Sequence, residues 1–93
     1  MKARFKDTTI ADSDDTVVVE NNHYFPMSAV NSAHLERSEH TSYCPWKGTA
    51  SYYHIRSGDD LAENAAWCYE SPKEAASQIK DRVAFWKGVQ VTA

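Results

Sequence analysis

The residues best suited to chemistry lie in one short run, Tyr43-Cys44-Pro45-Trp46-Lys47-Gly48. Lys47 follows an indole and precedes a glycine. An ammonium beside flexible backbone with free N–H groups can hold a phosphate or a carboxylate. The competing reading is a surface lysine whose stem covers Trp46 while its head reaches water. Glu20 closes the run Thr16-Val17-Val18-Val19-Glu20 and shares strand parity with Val18. A carboxylate turned inward there needs a partner, and Lys47 is the candidate. Paired, the two form an acid/base couple with shifted pKa values; unpaired, Glu20 is an exposed charge at a strand end.

Aromatic residues surround this pair. Tyr43, Tyr52 and Tyr53 can hydrogen-bond a guest or stack on a planar one, and Trp46 and Trp67 can wall a pocket. Adjacent strand residues face opposite ways, so one of Tyr52 and Tyr53 points to the core and the other outward. In a strand that begins at Lys47, that residue shares a face with Thr49, Ser51 and Tyr53. Cys44 becomes a nucleophile if Lys47 or a histidine stabilises its thiolate, against the alternative of a buried structural thiol. His23, His34, His40 and His54 show no metal-ligand spacing, and Cys44 and Cys68 form no CxxC pair. No metal site is therefore expected, and no cofactor can be named from the residues.

The elements that must position these groups read as short strands. Three consecutive β-branched valines mark the clearest strand. Asn21-Asn22 follows as a turn, and His23-Tyr24-Phe25 as the returning strand up to Pro26. Further strands are expected over residues 2–6, 8–11, 35–38, 49–56, 64–69, 82–86 and 89–91, with one helical turn over 27–31. Pro45 and Gly48 bracket a loop. Ser71-Pro72-Lys73-Glu74 reads as a helix start with a capping box. Ala75, Ala76, Ile79 and Val83 fall at helical spacing. The expected fold is mainly β (α+β), a small curled sheet or barrel with one short C-terminal helix covering part of it.

Composition sets the limits. Ninety-three residues suit one domain spanning 1–93, with 42% hydrophobic and 25% charged residues and a formal net charge of −3. That balance provides no basic footprint for nucleic acid and no cationic run for a membrane surface. No stretch has membrane-spanning length and no apolar leader follows Met1, so a cytoplasmic location is expected. The sequence leaves oligomeric state open.

Three blocks carry a family resemblance. They are Val17-Val18-Val19-Glu20 with Tyr24-Phe25-Pro26; Thr41-Ser42-Tyr43-Cys44-Pro45-Trp46-Lys47-Gly48-Thr49-Ala50-Ser51-Tyr52-Tyr53; and Ala66-Trp67-Cys68-Tyr69 with Pro72, Ile79 and Val83-Ala84-Phe85. Together they resemble the family called domain of unknown function 427, whose members carry a nucleotidyltransferase-like label. The resemblance implies a small β-rich domain of the β-tent or Mss4-like kind. The residues themselves give that label little support. Asp14-Asp15 and Asp59-Asp60 are adjacent pairs that face apart on a strand, and neither a Walker loop nor GxGxxG is present.

The function expected from these readings is binding of a small planar anion, such as a nucleotide. Its aromatic pocket would draw on Tyr43, Cys44, Trp46, Gly48, Tyr53 and Trp67, with Lys47 as the cation and Glu20 orienting a polar group. The alternatives are a nucleotidyltransferase-like enzyme using Lys47 and Glu20, or an interaction module in which the whole motif is core and turn.

Overall fold

Alternation of small and large apolar residues along short strands organises the chain around one central sheet. The computed structural model describes all 93 residues. Its strands are β1 (Lys2–Phe5), β2 (Thr8–Asp12), β3 (Val17–Val19), β4 (Asn22–Pro26), β5 (Leu35–Cys44), β6 (Gly48–Ser57), β7 (Asp60–Cys68), β8 (Arg82–Phe85) and β9 (Val89–Thr92). They form two antiparallel sheets, one of three strands in the order β2-β1-β9 and one of six in the order β3-β4-β8-β7-β6-β5. The chain is therefore mainly β, but it is not a barrel. β3 and β5 stand at opposite edges of the larger sheet and do not pair with each other.

The period of two places successive residues of one strand in different layers. In β4, Phe25 joins a core of 13 residues and Tyr24 joins a second cluster of 8. β7 splits Cys68 from Trp67, and β8 splits Val83 and Phe85 from Ala84, in the same way. The larger cluster fills the space between the sheets, where Ala3, Phe5, Ile10, Ala11 and Val89 meet Phe25, Ile55, Val83 and Phe85. The smaller cluster lies on the other face of the six-stranded sheet, where Tyr24, Ala50, Trp67 and Ala84 pack with Val19, Tyr69, Ala76 and Ile79.

The expected C-terminal helix is replaced by a 3-10 segment over Glu74–Ile79, kinked at Ala76 (φ −119°). Its N-cap residue is Lys73, which makes no side-chain cap bond, so the expected Ser71 and Glu74 box does not form. The cause is confinement. The Lys73 N–H is tied to the Lys47 carbonyl at 2.9 Å, and the Asp81 N–H to the Tyr69 carbonyl at 3.2 Å. Asp81 then reverses direction at φ +56°, and Val83 enters β8 instead of continuing a helical stripe. Two other short 3-10 turns, Met27–Ala29 and Ser32–His34, connect β4 to β5. No helix is long and apolar enough to cross a membrane.

β5 runs to ten residues, well past the strand expected over 35–38. Its far half, Glu-His-Thr-Ser-Tyr, is exposed and polar. Backbone pairing to β6 holds it there, from Thr41 opposite Ser51 to Cys44 opposite Gly48. Charges and an irregular register on such an edge oppose pairing with another chain.

Candidate functional site

Lys47 owes its position to a glycine. Pro45, Trp46 and Lys47 form the turn between β5 and β6, and Gly48 opens β6 at φ +108°. An L-residue rarely adopts that conformation, so glycine belongs there. The reversal takes Lys47 out of the alternation of β6. It therefore does not share a face with Tyr53, as a strand starting at Lys47 would require; it turns to the face of Tyr52, Trp67 and Tyr69. The turn is anchored from behind through the Lys73 N–H bond, with Gly48 packed against the backbone of residues 71–73.

There Lys47 is 8% exposed, and it is the one polar or charged residue among the buried positions. Its ammonium forms an ion pair with the Glu20 carboxylate. It also lies 5.5 Å from the Tyr69 ring centroid and 5.6 Å from that of Trp46, within cation–π range. Burial pushes the Lys47 pKa down, but the Glu20 hydrogen bond and the neighbouring Tyr24 and Tyr69 outweigh it and hold it above the ordinary lysine value. The side chain is thus a persistent cation at neutral pH.

Glu20 reaches Lys47 by a different route from strand parity. Val18 is 55% exposed and faces away, while Val19 is buried. Glu20 lies beyond the strand, in the two-residue turn to β4, with φ +53°, and Asn21 follows at φ +66°. Positive φ at both positions suits a type I′ hairpin. Asn21 fits that turn; a glutamate in the left-handed region is uncommon. Its side chain remains 53% exposed and meets the buried ammonium only at its tip.

Beside the pair opens a cleft of about 270 Å³ lined by Asn22, Lys47, Tyr52, Trp67, Tyr69 and Trp86. Trp67 lies edge-on to Tyr24, with centroids 6.2 Å apart and planes at 88°, and its indole N–H donates to the Tyr24 hydroxyl at 3.1 Å. Trp86 stands 5.5 Å from Trp67 at 76°, and its own N–H donates to the Asn64 carbonyl at 2.6 Å. Both indole N–H groups are therefore satisfied within the protein, and a guest meets their carbon surfaces. Tyr52 lies near Trp67 at 6.5 Å, its hydroxyl 3.0 Å from Ser42 Oγ and its ring 4.6 Å from that of His40. Burial raises the Tyr24 and Tyr69 pKa values, so both phenols stay neutral.

The structure brings together only part of the constellation expected from sequence. Lys47 and Trp67 line the cleft, Glu20 sits at its rim, and Gly48 shapes it from behind. Trp46 stands against Lys47 but is 40% exposed and outside the lining. Tyr43 is 63% exposed, and its hydroxyl accepts from Lys73 Nζ at 2.7 Å. Tyr53 occupies the opposite face, packed against the intersheet core, and its hydroxyl accepts from Arg37 at 3.4 Å. Cys44 is half-buried at the end of β5, opposite Gly48, and both cysteines are free thiols. Asn22, Tyr69 and Trp86 escaped sequence reasoning as lining residues. The shared parity of Ala50 and Tyr52 was the one available signal that Tyr52, not Tyr53, looks toward Trp67. No three His, Cys, Asp or Glu side chains cluster so as to hold a metal ion.

Against known families, the chain matches over residues 1–93 the model of a family described as Domain of unknown function (DUF427), and it belongs to that family. No curated protein matches its sequence.

Proposed function

We propose that the cleft beside Trp67 binds a small planar anion, with Lys47 as the charged anchor, on a scaffold of the β-tent kind. The observation that carries this reading is Lys47 itself: a cation buried to 8% exposure that opens onto a wall of aromatic rings. Burying an ammonium costs several kcal/mol before compensation, and an apolar residue of similar length would pack the turn without that cost. Ligand sites characteristically combine an apolar lining with a few placed polar groups. Here Trp67 and Trp86 supply crossed flat surfaces, and Lys47 supplies the polar anchor. Because its pKa is raised, Lys47 acts by holding or stabilising negative charge and not by accepting a proton near neutrality.

Thermal unfolding against a panel of nucleotides and small aromatic acids tests the proposal. A guest present at 100 times its Kd stabilises the wild type by about 2.7 kcal/mol, which raises Tm by roughly 10–20 °C in a domain of this size. Lys47→Met is expected to stay folded and to lose that rise. A rise of equal size in Lys47→Met removes Lys47 from the site. No rise with any member of the panel favours the interaction module.

A further inference from the structure

The ion pair at the rim of the cleft is unequal. The Lys47 side chain is 10% exposed, while that of Glu20 is 53% exposed and sits on a hairpin turn. A buried ammonium has to stay paired. The glutamate can swing into water at little cost, because half of it is already there. From this asymmetry we infer that the guest is an aromatic or heteroaromatic ring bearing a single carboxylate, and that it binds by replacing the Glu20 carboxylate on Lys47. The inference rests on the anion-binding reading above and narrows it.

Three features support the class. First, the exchange is like for like at the ammonium: one carboxylate leaves Lys47 and another arrives, so the buried cation is never unpaired. Second, Lys47 is the one charged residue of the lining. A triphosphate would bring several negative charges against the one lining ammonium with Glu20 still at hand; a further cation, Lys87, stands over the Trp86 ring at 4.7 Å but is not among the lining residues. Third, a volume of about 270 Å³ falls below the range of about 300–1,000 Å³ occupied by drug-sized guests. One ring or a fused pair fits within it against the indoles, and anything larger would extend beyond the lining residues. With both indole N–H groups occupied, the ring contacts carbon surfaces, while Asn22, Tyr52 and Tyr69 offer the polar atoms that remain.

The backbone of Glu20 points the same way. A type I′ turn favours asparagine or glycine at this position. The chain instead holds a glutamate at φ +53°, where its carboxylate covers the cation at the edge of the cleft. In this role Glu20 is a specificity-determining competitor: neutral guests cannot displace it, and polyanions are repelled by it.

Isothermal titration with benzoate, nicotinate, benzamide and ATP, on the wild type and on Glu20→Gln, tests the exchange. The Trp67 and Trp86 indole N–H signals in NMR spectra locate any binding. Benzoate and nicotinate are expected to bind and shift both signals, benzamide to leave them in place, and ATP to bind more weakly than benzoate. Glu20→Gln should bind benzoate more tightly, by up to roughly fivefold, since the competing carboxylate is gone. Glu20→Asn suits the left-handed turn, also lacks the competitor within reach, and should behave alike if the glutamine variant folds poorly. Equal or weaker benzoate binding in these variants overturns the exchange. Tighter binding of ATP than of benzoate overturns the carboxylate class but leaves the anion reading standing. If no probe shifts either indole signal in any variant, both fall together.

Discussion

Lys47 and Cys68 show two ways in which burial acts on an ionisable side chain. Lys47 is compensated and keeps its charge. Its raised pKa means that its pairing supports the fold at every pH below the ordinary lysine value and is lost only as pH climbs through the folded value. Cys68 is fully buried, and burial first, then Glu70 and Asp81, push its thiol up to about 12 from 9.0. The native state keeps this proton while the unfolded chain releases it, so stability falls as pH rises from about 9 toward 12. By pH 10 the loss from this group is on the order of 1 kcal/mol. Urea unfolding of wild type and Cys68→Ala at pH 8 and pH 10 should show a smaller alkaline loss in the variant. Thiol labelling at pH 8 should modify Cys44 in the native state and Cys68 only after unfolding. At this scale the sequence was informative about identity: an indole, an ammonium and a glycine in succession marked Lys47. It was silent about direction, because which face Lys47 joins depends on a backbone reversal one residue later.

That reversal belongs to the scale of elements. Gly48→Ala meets no severe clash, since a Cβ would stand 3.5 Å from the Lys73 nitrogen and 3.6 Å from the Ser71 carbonyl oxygen. Its cost comes from φ +108°, and is about 1–3 kcal/mol. Chemical denaturation should show that loss. Relaxing the turn would also rotate Lys47 away from Glu20, so anion binding should weaken by more than the stability change accounts for. The valine strand and its hairpin partner were legible because β-branched residues run up to an Asn-Asn turn there, whereas β7, which has no β-branched residue, was read only from residue 64 although it begins at Asp60. β5 was half hidden, since an exposed edge strand held by backbone pairing carries no apolar pattern. The C-terminal helix failed for the opposite reason. Its apolar spacing and capping residues were present locally, but backbone ties at Lys73 and Asp81 fix both ends of the segment to other elements, and between them it runs as 3-10 turns. Lys47 and Tyr53 would share a face only in a strand begun at Lys47, and β6 begins at Gly48.

Across the whole molecule, the six-stranded sheet has two working faces one residue apart. Phe25 packs edge-on to Phe85 at 5.6 Å between the sheets, while its neighbour Tyr24 holds the Trp67 indole on the cleft side. Phe25 is fully buried, so Phe25→Ala should cost about 3–5 kcal/mol. A domain of this length has roughly 5–14 kcal/mol in total, so the urea midpoint should fall by about a fifth or more. Where the variant remains folded, displacement of β4 should also disturb the Tyr24–Trp67 contact. A sequence reading could not foresee this coupling. It follows from the separation of the strands into two sheets, which local patterns do not encode.

The chain has three tryptophans, and none stands far from the candidate site. Trp67 and Trp86 meet edge to face within the cleft, and Trp46 lies against the ammonium beside it. All of the protein's indole emission therefore arises from this one neighbourhood. The molecule carries its own optical label where a guest would arrive, and needs no added dye.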